Sequence, residues 1–270
     1  MQGTDKMDSQ QVNRRSFAAR VGSAAIGMAA TAMAVGCGGG NNSANAAPTM
    51  DQSILNAAAT AEALATVMYY NIINFPGSIY QTGPLSTNAP DKAYLVAGYE
   101  QELNHYNFLV ANGGKALALT FYFPTGMFTD PQVTVNTLVT LEDAFITAYL
   151  IGVRDFSSTG LKVIAGQIMG VEAEHRSLAR VITNDLNLTS VTGLAGSEYV
   201  SAPGFTANNL AYERTFSSAL PDISHVVSAL GPFVTPGSAG YGATSFPFST
   251  ANAAAPSAGQ TPVTLAGITP

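Results

Sequence analysis

The chain has 270 residues, of which 47% are hydrophobic and only 10% are charged, and its formal net charge is −6. A chain of this length and composition can fill one sizeable core, so we expect one large domain. The acidic balance and the lack of a basic cluster exclude a nucleic-acid partner, because binding to phosphates depends on Lys and Arg.

The first 36 residues have the features of an export signal. Residues 13–17, Asn-Arg-Arg-Ser-Phe, form a twin-arginine signature, and residues 17–35 are small and apolar apart from Arg20. A retained membrane anchor is the alternative. The Ala/Gly-rich composition disfavours it, because a stable span needs about 20 strongly apolar residues. We therefore predict a twin-arginine signal peptide over residues 1–36 and export of the protein.

Two cleavage sites compete after this signal. Cys37, the only cysteine, ends the apolar run and precedes three glycines, as in a bacterial lipobox followed by a flexible tether. The alternative is an A-x-A site at residues 44–46, with cleavage before Ala47. We favour a lipid anchor at Cys37, because the second site lies far beyond the apolar run. The mature protein is then periplasmic or a membrane-tethered lipoprotein, with a linker over residues 37–49.

Four long helices are predicted from residue 50 onward. Each shows apolar residues at helical spacing and ends near Pro, Gly or Asn. Asp51 can serve at or near the first N-cap, and Asp130-Pro131 gives the third helix a cap followed by proline in its first turn. The predicted helices cover residues 51–75, 91–110, 131–155 and 158–186.

The lengths of the connections predict how these helices pack. The short turn between helices 3 and 4 makes them antiparallel neighbours, whereas nearly twenty residues between helices 2 and 3 allow a long crossover. An extra helical segment is expected around residues 208–219 and, after Pro221, up to residue 230. We therefore predict an all-α four-helix bundle over residues 50–230. Residues 231–270 form a low-complexity tail, irregular and only partly packed on the bundle.

Two predicted helices carry isolated acidic residues among apolar neighbours. Glu62 is the one charged residue of helix 1 after its start, and Glu142 and Asp143 lie at the centre of helix 3. Burying an unpaired carboxylate costs several kcal/mol, so it must be protonated, paired with a cation or bound to a metal. Neither helix 1 nor the middle of helix 3 contains a Lys or Arg that could pair with it.

Helices 2 and 4 each contain a Glu-x-x-His motif. Residues three apart share a helix face, so the carboxylate and the imidazole can converge on one ion while a carboxylate from a neighbouring helix bridges to a second ion. The alternative, solvated Glu/His pairs on exposed faces, does not explain why these helices are otherwise so apolar. We therefore predict a site for two metal ions. Its ligands are Glu62, Glu102, His105, Glu142, Glu172 and His175.

Other polar residues are assigned lesser roles. Glu100 and Glu174 should point away from the site, and Asp143 either contacts a ligating His or faces outward. His225 has no matching Glu and is taken as structural or exposed. Four tyrosines lie near the level of the ligands, and for each we favour core packing over a hydrogen bond to a carboxylate or a place in a redox path. They are Tyr69, Tyr99, Tyr106 and Tyr149.

This pattern resembles the ferritin-like superfamily, in which four successive bundle helices supply Glu, Glu-x-x-His, Glu and Glu-x-x-His. More narrowly, the chain is similar to secreted ferritin-like domain proteins related to plant desiccation-associated proteins. Residues 120–124, Thr-Phe-Tyr-Phe-Pro, and residues 212–214, Tyr-Glu-Arg, carry that likeness. The resemblance covers residues 50–230 and implies the bundle and its six ligands. The long first connection departs from typical ferritins, and no cage-forming surface is evident.

Three functions are consistent with the sequence. The first is an exported redox protein with two transition-metal ions, iron or manganese, whose partner is a small oxidant such as O2 or peroxide, or ferrous iron. The second is a non-catalytic envelope or stress protein in which metal is structural or absent, and the third is a membrane-anchored structural module. No catalytic residue is assigned beyond the ligands. A homo-oligomer and the choice between iron and manganese stay open.

Overall fold

Four long helices form the body of the protein. The computed structural model describes residues 49–188 and 223–253. The four helices are α1 Met50–Asn74, α2 Ala89–Ala111, α3 Pro131–Asp155 and α4 Thr159–Asp185, and a 3₁₀ turn, Pro84–Thr87, precedes α2. These bounds lie within two residues of the predicted ones, so the all-α bundle is confirmed.

Every one of these helices begins with a side-chain cap. The capping oxygens belong to Thr49, Asn88, Asp130 and Ser158, and each accepts a backbone N–H from the first turn. Asp51, expected at or near the first cap, lies two residues after the capping Thr49, in the first turn of α1. Its carboxylate accepts the backbone N–H of Ser157 at 2.7 Å and thereby joins the α3–α4 turn to the start of α1.

The helices pack in two pairs. α1 lies mainly against α2, and α3 lies mainly against α4, with α1 also contacting α3. At the start of α1, the Gln52 side-chain amide donates to the Gly113 carbonyl just after α2, at 2.6 Å, so α1 and α2 run antiparallel. The turn between α3 and α4 is short, whereas residues 112–130 form the long connection that was predicted between the second and third helices.

The C-terminal segment is more regular than predicted. Its elements are α5 Ile223–Val234, β2 Phe246–Pro247 and α6 Phe248–Ala253, and β2 pairs antiparallel with β1 Thr120–Phe121 in the long connection. The expectation of irregular chain beyond residue 230 is therefore wrong for residues 231–234 and 246–253, whereas residues 235–245 between them are irregular, as predicted. Aromatic rings explain the difference, because Phe123 contacts both Phe233 and Phe246 at centroid distances of 5.9 and 5.4 Å. The helix expected at residues 208–219 lies outside the described residues.

This segment accounts for the apolar character of α1 and α3. α6 packs on α1 and α5 packs on α3, so both helices are covered on their outer faces as well as toward the bundle. A helix buried on all sides has no solvent-facing stripe to fill with charged residues. The carboxylates of Glu62 and Glu142 therefore lie inside the protein. Neither α1 nor any other helix within the described ranges qualifies as a membrane span.

Candidate metal centre

The six predicted ligands converge at one level of the bundle. The four glutamates expose at most 1% of their surface, His175 is equally buried, and the His105 side chain is 12% exposed. They come from all four helices: one glutamate each from α1 and α3, and one Glu-x-x-His pair each from α2 and α4. The structure brings together every residue that was predicted to belong to the site.

The glutamates of the two Glu-x-x-His motifs lie between the two imidazoles. Glu102 places Oε1 2.8 Å from Nδ1 of His175 and Oε2 3.7 Å from Nδ1 of His105. Glu172 places Oε1 3.1 Å from Nδ1 of His105 and Oε2 3.4 Å from Nδ1 of His175. Each of these carboxylates thus directs one oxygen toward each imidazole, which is the placement that a bridging carboxylate requires.

The two remaining glutamates each belong to one side of the cluster. Oε2 of Glu62 lies 3.5 Å from Nδ1 of His105, and Oε2 of Glu142 lies 3.9 Å from Nδ1 of His175. Two groups of potential ligands result, each with four ligand atoms within 4.8 Å of one another, and the groups share Glu102 and Glu172. The groups are Glu62, Glu102, His105, Glu172 and Glu102, Glu142, Glu172, His175.

The atoms that face each other in this cluster are buried without a hydrogen-bond partner of good geometry. They are Glu62 Oε2, both oxygens of Glu102 and of Glu172, Glu142 Oε2, and Nδ1 of His105 and His175. Leaving a buried polar atom unsatisfied costs about 1–3 kcal/mol, and more for a charged group. Carboxylate oxygens and imidazole nitrogens are common ligands of divalent transition metals. The donor set therefore fits a metal site.

Protonation balances the negative charge of this cluster. Burial and the neighbouring carboxylates raise the pKa of Glu62 and of Glu142. Burial by itself lowers the pKa of a histidine, but the carboxylates around His175 outweigh it and raise its pKa to about 11. The pKa of His105 is raised for the same reason, chiefly by Glu62. Glu102, in contrast, has a lowered pKa, because its burial, which raises the pKa, is outweighed by the charge of His175 together with hydrogen bonds from both histidines and Glu62.

Two tyrosines extend the cluster, and sequence reasoning misjudged them. The Tyr69 hydroxyl on α1 donates to Oε1 of Glu142 on α3 at 2.6 Å, and the Tyr149 hydroxyl on α3 donates to Oε1 of Glu62 on α1. The expectation of core packing alone is wrong for both. A signal was present in the sequence, because each tyrosine follows the glutamate of its own helix by seven residues and so shares its face two turns later.

The other two tyrosines fulfil the expectation of core packing. The Tyr99 hydroxyl donates to the Ala251 carbonyl at 2.8 Å, and the Tyr106 ring lies 4.4 Å from the ring of Phe248. Both contacts are made with α6. These tyrosines therefore attach the C-terminal segment to α2 and do not contact the carboxylate cluster.

Gln101 is a neighbour of the site that sequence reasoning did not find. Its Oε1 lies 2.8 Å from Nε2 of His175, so Nε2–H donates to the amide and Nδ1 is the nitrogen that faces the carboxylates. A partner on the outer nitrogen of a histidine ligand sets the orientation of the ring and its tautomer. No sequence pattern marks Gln101, because the contact depends on how closely α2 approaches α4.

Residues with lesser predicted roles fall into three groups. Asp143 neither contacts a ligating histidine nor faces solvent, because it is buried in an ion pair with Arg176 that joins α3 to α4. Glu100 and Glu174 are exposed, as predicted. The side chain of His225 lies outside the described part of the structure.

Comparison with known proteins agrees with this architecture. The profile of a family described as "Ferritin-like domain" matches residues 50–185, which is half of the chain. The chain belongs to the ferritin-like domain family. Among curated proteins and among solved structures, nothing matches it significantly. The matched range contains α1 to α4 and all six residues of the ligand cluster, so the family assignment and the site concern the same part of this ferritin-like chain.

Replacement of Gln101 should weaken metal binding. In Gln101→Leu, Nε2 of His175 loses its acceptor, and we expect the affinity for Mn²⁺ to fall by about 10- to 100-fold, as is usual for a lost neighbour of a metal-binding histidine. Competition with a chromophoric chelator measures the affinity. Glu100→Gln is the matched control, because Glu100 precedes Gln101 and is exposed. Equal affinities of wild type and Gln101→Leu would show that Gln101 does not orient His175.

Metal binding should become tighter as pH rises. The pKa values of Glu62, Glu142 and both histidines are raised, so these groups hold protons that a metal ion must displace. We expect the affinity for Mn²⁺ to rise between pH 6 and pH 8 by about tenfold per pH unit for each proton released. Calorimetric titration in buffers with different heats of ionisation counts these protons. A binding heat that is independent of the buffer would contradict the prediction.

Proposed function

We propose that this ferritin-like protein binds two transition-metal ions, iron or manganese, and uses them for redox chemistry with O2, peroxide or ferrous iron. The observation that supports it most is the pair of four-atom groups that share Glu102 and Glu172. A single ion would leave one imidazole and one outer carboxylate buried without a metal ion to bind. Two ions give every unpartnered atom of the cluster a partner.

The types of donor favour a redox-active metal. The site combines imidazole nitrogens with carboxylate oxygens and contains no thiolate, since Cys37 precedes the domain. Carboxylate-rich sites with one imidazole per ion suit iron and manganese, whereas structural zinc is usually held by Cys and His. Bound in this cluster, either metal would supply electron transfer to or from a small oxidant.

The surroundings of the site restrict what can reach it. Five of the six ligands are at most 1% exposed, so only a small molecule or ion can enter without unfolding part of the bundle. His105 is the most exposed ligand, and the Tyr94 ring lies 6.2 Å from the ring of His175. Tyr94 also lines a shallow surface depression, together with Ala173, Glu174, Ser177 and Leu178. Both features support an approach from the α2–α4 side.

Metal analysis with a matched pair of variants tests this function. We expect the wild-type chain to bind about two iron or manganese ions and to turn over peroxide or ferrous iron. Glu142→Gln should lose both the metal and the turnover, because the amide is a poor ligand. Glu100→Gln, at an exposed residue that neither belongs to the cluster nor lines the depression, should keep its metal and its turnover. Fewer than one ion per wild-type chain would refute the proposal. Two bound ions without turnover would support instead a non-catalytic envelope or stress protein with structural metal.

The stability of metal-free Glu142→Gln tests whether Glu142 is kept for function at a cost to stability or stabilises the fold. The raised pKa of Glu142 means that its ionisation opposes folding, so the metal-free protein loses stability as pH rises through that pKa. Glutamine cannot ionise and can still accept the hydrogen bond of Tyr69. Metal-free Glu142→Gln should therefore have a higher midpoint of thermal unfolding at pH 8 than metal-free wild type.

Export by the twin-arginine route fits this function, because that route carries folded proteins with their cofactors already bound. We propose that the mature protein is periplasmic or tethered to a membrane by a lipid on Cys37. Residues 1–48 lie outside the described residues, and the support is the twin-arginine signature with the apolar run that follows it. The intact mass of the exported protein should show a lipidated chain that begins at Cys37. A chain beginning at Ala47 would refute lipidation, and an uncut chain would refute the signal peptide.

A further inference from the structure

The two outer glutamates of the cluster each have one oxygen engaged by a tyrosine. Oε1 of Glu142 accepts the hydroxyl of Tyr69, and Oε1 of Glu62 accepts the hydroxyl of Tyr149. The second oxygen of each, Oε2, is buried without a hydrogen-bond partner and faces a histidine. Each outer carboxylate therefore has one oxygen free to serve as a ligand.

The number of ligand atoms available to each ion shows why the tyrosine bonds to the outer glutamates matter. Each group of the cluster offers four ligand atoms: one imidazole nitrogen, one oxygen from each of the two shared glutamates, and one oxygen from an outer glutamate. Iron and manganese ions with such ligands commonly take about six. Two positions per ion are then left for incoming small molecules, and an outer carboxylate that rotated and used both oxygens would take up one of them. The tyrosine bonds oppose that rotation.

We propose that Tyr69 and Tyr149 are positioning residues that hold Glu142 and Glu62 to one ligating oxygen each and so keep a coordination position free for a small anionic ligand. The inference rests on the proposed dinuclear site. Each tyrosine acts across the bundle, on the glutamate of the opposite helix, so the two bonds restrain both outer carboxylates in the same way. Both tyrosine rings are buried, at 1% and 3% exposure, and a phenylalanine fits either place because it differs only by lacking the hydroxyl.

The experiment uses azide as the small anion and the full-length protein loaded with iron and oxidised to the ferric state. Azide is titrated into wild type, Tyr69→Phe and Tyr149→Phe, its binding is followed by the charge-transfer absorption, and metal content is measured in the same samples. We expect both variants to keep their metal and to bind azide about tenfold more weakly, because the released carboxylate oxygen competes with azide for one of the two open positions. X-ray absorption should report one more oxygen neighbour per affected ion before azide is added.

The control is Tyr99→Phe. Tyr99 is buried and its hydroxyl donates to the Ala251 carbonyl, so this variant also removes a buried hydrogen bond but leaves the carboxylates untouched. It should bind azide within about twofold of wild type. An effect of equal size in Tyr99→Phe would attribute the change to general loosening of the fold and overturn the proposal.

Two other results would also overturn it. Unchanged azide affinity in both variants with metal retained would show that the tyrosines do not control how the carboxylates bind. Loss of metal from both would show that the hydroxyls are needed to place the ligands at all, because a carboxylate released to use two oxygens should hold metal at least as well. Failure of the proposed function gives distinct results, since wild type would then either bind no metal or bind two ions without turning over peroxide or ferrous iron.

Discussion

Four carboxylates confined to one buried level of a helical bundle are the constraint on which the rest of the structure depends. Each is nearly without solvent contact, and each carries a desolvation cost of several kcal/mol when ionised. The protein reduces this cost with the partners that it places beside them. Two imidazoles stand between the carboxylates, and two tyrosine hydroxyls donate to the outer pair. The atoms that still lack a hydrogen-bond partner are the ones that a metal ion would bind.

The site has an approximate twofold pattern with one clear exception. α1 and α3 each supply a glutamate and, seven residues later, a tyrosine whose hydroxyl donates to the glutamate of the other helix. α2 and α4 each supply a Glu-x-x-His pair. The exception is the outer nitrogen of the histidines. His175 is fixed by Gln101 and fully buried, whereas His105 is partly exposed. The two halves are therefore built alike and differ in access to solvent.

The segment after α4 determines how well this site is enclosed. α5 and α6 cover the outer faces of α3 and α1, and β2 joins the long connection through its pairing with β1. Tyr99 and Tyr106 attach α6 to the helix that carries Glu102 and His105. The family profile ends at residue 185, so this enclosure is added by a part of the chain outside the matched domain. It explains how α1 and α3 can do without exposed charged residues except near their ends and remain parts of a stable protein.

The helices, their order and the six residues of the carboxylate–histidine cluster were predictable from the sequence, because they depend on local patterns. Caps and apolar spacing define the helices, and the i, i+3 spacing places Glu and His on one face. An isolated charge in an apolar helix stands out because burying it is costly.

Contacts between helices were not predictable in this way. Glu102 and Glu172 as the shared ligands, the crossed tyrosine bonds, Gln101 beside His175, and the Asp143–Arg176 pair all depend on how one helix approaches another. The same holds for β2 and α6, whose residues look like a flexible tail until the aromatic side chains of the long connection pack against them. Sequence alone determined which groups are present and at what level, and tertiary packing decided which of their atoms face one another.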